Sequence, residues 1–175
     1  MSDELILVDL NDTVLGSGEK MWVHQSDKLH RAFSVFIISN NKILLQRRCR
    51  NKYHSGGLWA NACCSHPRYG ERLEEAVHRR LREELGMDSP VQEIFHFVYR
   101  SVYENGLTEY EYDHVFITEY SGSFNPSKEE IEELKWITIA ELCDDLVSNP
   151  QDYASWFLIA FPKVLEKLEK LNNDQ

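Results

Sequence analysis

The sequence predicts an α/β or α+β sandwich of three layers, with a mixed central sheet flanked by helices. Three observations predict it. Apolar, β-branched runs of strand length recur along the chain; one strongly helical stretch occupies 71–85; and strands and helices succeed one another without the regular alternation of a wholly parallel fold. With 175 residues and neither internal repeat nor low-complexity linker, the chain is expected to form one domain, 1–175, with a sizeable core.

From the N-terminus, "LILV" at 5–8 reads as a short strand and "NDTVLGSGEK" as a turn and return. "AFSVFIIS" and "NNKILLQRR" read as two strands around an Asn40-Asn41 turn. "KYHSGG" is a loop and "LWANACC" a further short extended run, with Pro67 and Gly70 breaking the chain before the next element. Residues 71–85, "ERLEEAVHRRLREEL", read as a helix stopped by Gly86. "VQEIFHFVYRSVY" and "YDHVFITEY" read as hairpin strands bridged by "ENGLTEYE". Thr138, with Glu141 three residues on, makes a capping-box start for a helix. The tail from about 151 is helical, with Pro162 expected in the first turn of a second segment.

A formal net charge of −10 argues against a nucleic-acid partner, whose phosphates need a positive patch. It leaves room for a small anion held by a few local cations and a metal. No apolar run approaches the ~20 residues of a membrane span. The start, "MSDELILVDL", lacks the basic region and long apolar stretch of a signal peptide. The expectation is a cytoplasmic protein, off the membrane, with Cys49, Cys63, Cys64 and Cys143 reduced.

On a helical wheel of 71–85, Leu73, Ala76, Val77, Leu81 and Leu85 form one apolar stripe. Arg80 and Glu84 fall in the middle of it. Buried charges are costly unless paired or bound to metal. Two readings are open: a structural i,i+4 ion pair, or an inward carboxylate aimed at a cation with Arg80 beside it. The other charges of the stretch mostly lie at its edges or solvent side.

Candidate ligands lie elsewhere: His24 and His30 in "VHQSDKLHRAF", His66 in "CCSHP", Glu109 and Glu111 in "TEYEYD". Two apart on a strand, Glu109 and Glu111 would share a face. Imidazole and carboxylate together suit Zn²⁺, Mn²⁺ or Fe²⁺. Taken singly, each has an ordinary structural or solvated explanation. His54, His78, His96 and His114 are read that way, as are Trp22, Trp59 and Trp136, taken as packing aromatics.

From Glu71 the pattern is Glu, seven residues, Arg79, then "RLREELGM". It is similar to the Nudix box, G-x5-E-x7-REUxEExGU with U apolar. Ser65 stands where its first glycine belongs, and Arg80 where the first glutamate of REUxEE belongs. With that carboxylate replaced, multi-metal hydrolysis is disfavoured, while a single cation on Glu84 remains reasonable. "HRAFSVF", "LLQRR", "GLWANACCSHP" and the "EYE" segment go further. In that order, and with the degenerate box, they resemble type I isopentenyl-diphosphate isomerase over about Lys20 to Trp156.

The resemblance implies a Nudix-type sandwich and an interconversion of isopentenyl and dimethylallyl diphosphate in isoprenoid biosynthesis. An unactivated alkene is a very weak base, so its protonation gives a tertiary carbocation; this needs a strong local acid and a dry pocket. The N-x-x-C-x-HP spacing puts the cysteine role on Cys64, with Cys63 left as core. Glu111 serves the opposite face, hydrogen-bonded by Tyr99. His24, His30, His66, Glu109 and Glu111 are implied as ligands of one divalent metal: zinc, manganese or magnesium. A second cation, Mg²⁺, sits between the diphosphate, Glu84 and the Cys64 carbonyl. Lys20, Arg48, Lys52 and Arg80 face the diphosphate, and the Trp156 ring faces the carbocation. The expected partner is a small prenyl diphosphate bound by a monomer. The alternatives are a Nudix diphosphatase acting on a nucleotide or prenyl diphosphate, and a zinc-stabilised binding module.

Overall fold

The computed structural model describes residues 3–175. Among the described residues nine strands join in one sheet: β1 (Glu4–Val8), β2 (Val14–Glu19), β3 (His30–Ser39), β4 (Lys42–Arg48), β5 (Trp59–Asn61), β6 (Cys63–Ser65), β7 (Gln92–Val102), β8 (Thr108–Glu119) and β9 (Ile131–Thr138). The helices are α1 (Lys20–Gln25), α2 (Leu73–Arg80), α3 (Ile139–Ser148) and α4 (Ser155–Asn173).

β3 organises the sheet. It pairs in parallel with β8 from His30↔Glu111 to Ile38↔Glu119. Its other edge takes three antiparallel partners in turn: β1 at His30, β6 at Phe33–Val35 and β4 at Ile38–Ser39. The run "FSVFII" is apolar on both faces because both are covered. Phe36, Ile43, Val115 and Ile117 pack under Trp156, Phe157 and Phe161 of α4. Phe33, Val35, Ile37 and Phe116 pack under Ala76 and Val77 of α2 and under Leu81 and Leu85 beyond it. The three layers are helix, curled sheet and helix.

Local chemistry accounts for the joints. Asn40 and Asn41 both adopt left-handed φ, 49° and 61°, which a two-residue hairpin turn between Ser39 and Lys42 requires. The Thr138 hydroxyl caps the Glu141 amide while the Glu141 carboxylate returns to the Thr138 amide. "LWANACC" is two strands rather than one. β5 pairs with β4 and β6 with β3, so the chain changes partner at buried Ala62.

Three further expectations need correction. The helix after Glu71 begins at Leu73, and α2 widens into a π-helical turn, Leu81–Leu85, before Gly86 ends it at φ 64°. The Asn125 and Ser127 amides take the Leu85 and Glu84 carbonyls freed there, so a distant loop caps this end. β8 already begins at Thr108, so "TEYE" belongs to the strand and the hairpin loop is shorter than expected. Pro162 opens no new segment; α4 runs through it for 19 residues, because its apolar face is held by the core. No helix among the described residues is long and apolar enough to cross a membrane.

Candidate active site

A cleft opens where β5 and β6 part company. Its lining includes Lys20, Arg48, Lys52, Cys64, His66, Arg80, Glu84, Tyr99, Glu109, Glu111 and Trp156. Of the expected residues only His24 and His30 lie outside that lining, and both are buried against His66 and Glu111.

Strand register builds the first part. His30, Glu111 and Tyr99 stand in one row across β3, β8 and β7. Alternation along β8 sends Glu109, Glu111 and Asp113 to the same side. The Tyr99 hydroxyl lies 2.6 Å from Glu111 Oε2 and 2.8 Å from Glu109 Oε2. Burial, and then the two carboxylates, push the Tyr99 phenol well above its ordinary value. It therefore stays protonated and donates.

The imidazoles enclose the carboxylates. His24, His30, His66 and Glu111 bring one ligand atom each within 4.8 Å of one another, and His24, His54 and Glu109 do the same beside them. His24 Nδ1 contacts the Lys20 carbonyl at 2.6 Å and His30 Nδ1 the Lys28 carbonyl at 2.8 Å. A carbonyl can only accept, so Nδ1 carries the proton and each Nε2 turns a lone pair inward. Both Nε2 atoms are buried without a hydrogen-bond partner. That is the arrangement of metal-ligating histidines, whose outer nitrogen is fixed by a backbone carbonyl. The donor set fits a divalent cation of the zinc or manganese type. Burial pulls His66 down to about 3, keeping it neutral and able to ligate. Burial would push Glu111 up, but the adjoining His30 and His66 imidazoles outweigh it and hold the carboxyl well below its usual range.

Cys64 lies on β6, where its register partner on β3 is Ser34. Its thiol donates to Asn61 Oδ1 at 3.1 Å. Burial, and then the proximity of Asp113, push it far above the ordinary thiol value, so it remains a thiol. The same Asn61 Oδ1 accepts from Trp156 Nε1 at 3.1 Å, and Asn61 Nδ2 donates to the Val35 and Cys63 carbonyls. One fully buried amide thus holds thiol and indole together. Cys63 is fully buried core.

The third side is cationic. Lys20, Arg48, Lys52 and Arg80 converge on it. Burial, then neighbouring Lys52, pull Lys20 below its ordinary value. Nε of Arg48 and Nε of Arg80 are buried with no acceptor, two donors an oxyanion would satisfy. Arg48 also lies 5.1 Å above the Trp156 ring. Glu84, 3% exposed, pairs with Arg80, so the i,i+4 ion pair forms on the inward side of the helix. Burial raises Glu84 and Arg80 opposes the rise. Arg79 grips Glu71 with Nε and Nη2 at 2.6 and 2.9 Å, fastening the loop before α2.

Several lining residues were not anticipated. His54, read as structural, is 6% exposed and lies 2.5 Å from Glu109 Oε1. Only the fold of the 49–58 loop brings it there. Glu130 contacts Lys52 and stands 3.4 Å from Arg80. Tyr53 stands edge-on to His24 and His54. Asn61 was legible as the first residue of the N-x-x-C pattern, but its role was not. Trp22, taken as a packing aromatic, is 45% exposed.

A model of the NUDIX domain matches residues 28–157. An isopentenyl-diphosphate Delta-isomerase 2 of Aromatoleum aromaticum is 43% identical over 166 residues, covering 94% of this chain and 88% of the relative. One from Photorhabdus laumondii is 45% identical over 158 residues, covering 90% and 89%. A Deinococcus radiodurans crystal structure shares the fold at TM-score 0.68 and 19% identity, over 83% of this chain and 90% of that one. A MutT protein from Methanosarcina mazei does so at 0.63 and 20%, over 77% and 91%. Fold, box and relatives agree: the chain belongs to the Nudix superfamily and, within it, to the isopentenyl-diphosphate Delta-isomerase family.

Proposed function

We propose that this chain interconverts isopentenyl diphosphate and dimethylallyl diphosphate, as an isomerase of isoprenoid biosynthesis. The observation that carries the reading is that a half-buried thiol and a phenol-bridged carboxylate pair line one cleft with four basic side chains.

In this reading Lys20, Arg48, Lys52 and Arg80 hold the diphosphate and so fix where the five-carbon tail lies. Glu84 and the Cys64 carbonyl would hold the Mg²⁺ that accompanies the diphosphate. A second divalent cation is held by His24, His30, His66, Glu109 and Glu111, with manganese, zinc and magnesium as the candidates. When bound, that cation orients Glu111 and offsets the charge of the buried carboxylates. The alkene lies between the Cys64 thiol and Glu111. A proton added at one carbon leaves a tertiary cation, and loss of a proton from a neighbouring carbon restores the double bond. Which group gives and which takes depends on the direction of reaction. Tyr99 keeps Glu111 oriented and moves a proton to or from it. The Trp156 ring and the burial of the pocket protect the cation from water. In this reading the catalyst acts as a single domain and as a monomer.

The test is NMR of isopentenyl diphosphate in D₂O with the protein and Mg²⁺. Deuterium should enter the substrate and dimethylallyl diphosphate should accumulate. Cys64→Ser and Glu111→Gln should each abolish this in a protein that stays folded. Phosphate release without exchange would instead mark a Nudix diphosphatase and sink the proposal.

A further inference from the structure

A second cluster of histidines and carboxylates lies on the other side of β8. His114 is even-numbered where Glu109, Glu111 and Asp113 are odd, so it projects from the opposite face of the strand. His96 on β7 is its direct cross-strand partner. Glu93, three residues before His96, should point the other way in a regular strand. It does not, because the register slips between Glu93 and Phe95. This bulge returns Glu93 to the face of His96 and His114. One ligand atom from each of the three falls within 4.8 Å of the others.

The surroundings of His114 matter most. Its side chain is 10% exposed and both ring nitrogens face carboxylates. Nε2 lies 3.0 Å from Asp12 Oδ2 and Nδ1 lies 2.5 Å from Glu93 Oε1. A neutral imidazole has one N–H, so it satisfies one of these contacts and points a lone pair at the other carboxylate. A positive charge is needed at the second contact, either a proton or a cation. Asp12 already has one, since Arg31 donates to its Oδ1 at 2.8 Å and to its carbonyl at 2.9 Å. That leaves Asp12 as the fixed acceptor for Nε2–H. Nδ1 is then turned to Glu93 with His96 beside it. Carboxylate–histidine pairing on the outer nitrogen is what orients a metal-ligating imidazole.

We propose that Glu93, His96 and His114 form a second metal site, for a divalent transition metal of the zinc class, with Asp12 and Arg31 as its supporting shell. Two imidazoles and one carboxylate favour such an ion over Mg²⁺ or Ca²⁺, which prefer all-oxygen sets. Ligand atoms around tetrahedral zinc stand roughly 3.3 Å apart, from metal–ligand distances near 2.1 Å. Glu93 and Nδ1 would therefore separate slightly, a movement open to a glutamate side chain that is 39% exposed. His96, stacked on Tyr112 at 5.1 Å, is already steadied for the third position. The fourth position faces solvent. The bound ion would tie the β7–β8 hairpin, through His114 and Asp12, to the N-terminal β1–β2 hairpin.

Equilibrium dialysis of the full chain against micromolar Zn²⁺, with bound metal counted, tests this. The wild-type chain should hold one equivalent more than His96→Ala and one more than Glu93→Gln. His96 is exposed, so its loss does not threaten the fold, and isomerase turnover should be unchanged in both variants. Dialysis against Mg²⁺ alone should show no difference. Equal zinc content in wild type and His96→Ala overturns the proposal, leaving a proton between His114 and Glu93. The comparison is by difference at this site, so it stands or falls separately from the isomerase reading.

Discussion

Replacing Arg80 with alanine isolates what the arginine in the degenerate box does for the metal-free fold. Glu84 is 3% exposed and its partner in the described structure is Arg80. Removing the guanidinium leaves a carboxylate with Arg48 as its remaining cationic neighbour, in a site where burial already raises its proton affinity. The folded protein can escape the penalty by protonating Glu84. The penalty is therefore capped by the cost of protonation at the working pH. From an ordinary value of 4.5 to pH 7, that cap is about 3.4 kcal/mol at ~1.36 kcal/mol per unit. At pH 5 it falls to about 0.7 kcal/mol. The sign comes from linkage. The folded variant keeps a proton on Glu84 that the unfolded chain releases above 4.5, so the variant loses stability as pH rises. Urea unfolding of wild type and Arg80→Ala in EDTA at both pH values measures the difference, and histidine titration common to both proteins cancels. The gap should widen by up to about 2.7 kcal/mol from pH 5 to pH 7. Adding Glu84→Gln to Arg80→Ala should remove the pH dependence. A gap that is the same at both pH values would refute the reasoning, since Glu84 would then not depend on Arg80 for its charge.

Other consequences can be checked separately. Tyr99→Phe removes one hydroxyl shared by Glu109 and Glu111; hydrogen bonds to charged groups contribute ~1.5–3 kcal/mol, so kcat should fall about 10- to 100-fold with little change in substrate KM. Chelating the metal should make stability fall as pH drops from about 6.5 toward 3, because His66 stays neutral in the fold while the unfolded imidazole takes a proton; metal-loaded protein should resist this, as thermal melts at pH 7 and pH 5 would show. Pro162→Ala should stabilise the chain by about 1–3 kcal/mol in urea titrations, since it restores an amide inside α4 on a solvent-facing position.

Short-range chemistry was legible in the sequence. The Asn40-Asn41 turn, the Thr138–Glu141 box and the inward pair Arg80–Glu84 each depend on residues a few positions apart. Much of the site was legible too, but for a different reason. Composition and spacing could not choose Cys64 over Cys63, or His24 over His54; the resemblance to a family did that. What stayed hidden depends on pairing between distant segments. The change of partner at Ala62 splits an apparently continuous run, because β4 and β3 compete for it. His54 gains its role from a loop folding over β8, and Glu130 from a turn fastened to the Cys49 amide. Pro162 misled because tertiary packing overrode its local cost.

The row His30–Glu111–Tyr99 also bears on the order in which the protein assembles. Tyr99 and Glu111 face each other across a hairpin, a contact a folding chain reaches early. His30 and Glu111 meet only when β8 docks in parallel on β3, after nearly half the chain has been looped out. Parallel pairing over such a separation is slow, because loop entropy is lost before any contact rewards it. The histidine and carboxylate ligands therefore come together late, and a metal ion cannot template the early steps. Metal uptake during refolding would then report the last long-range closure of the sheet.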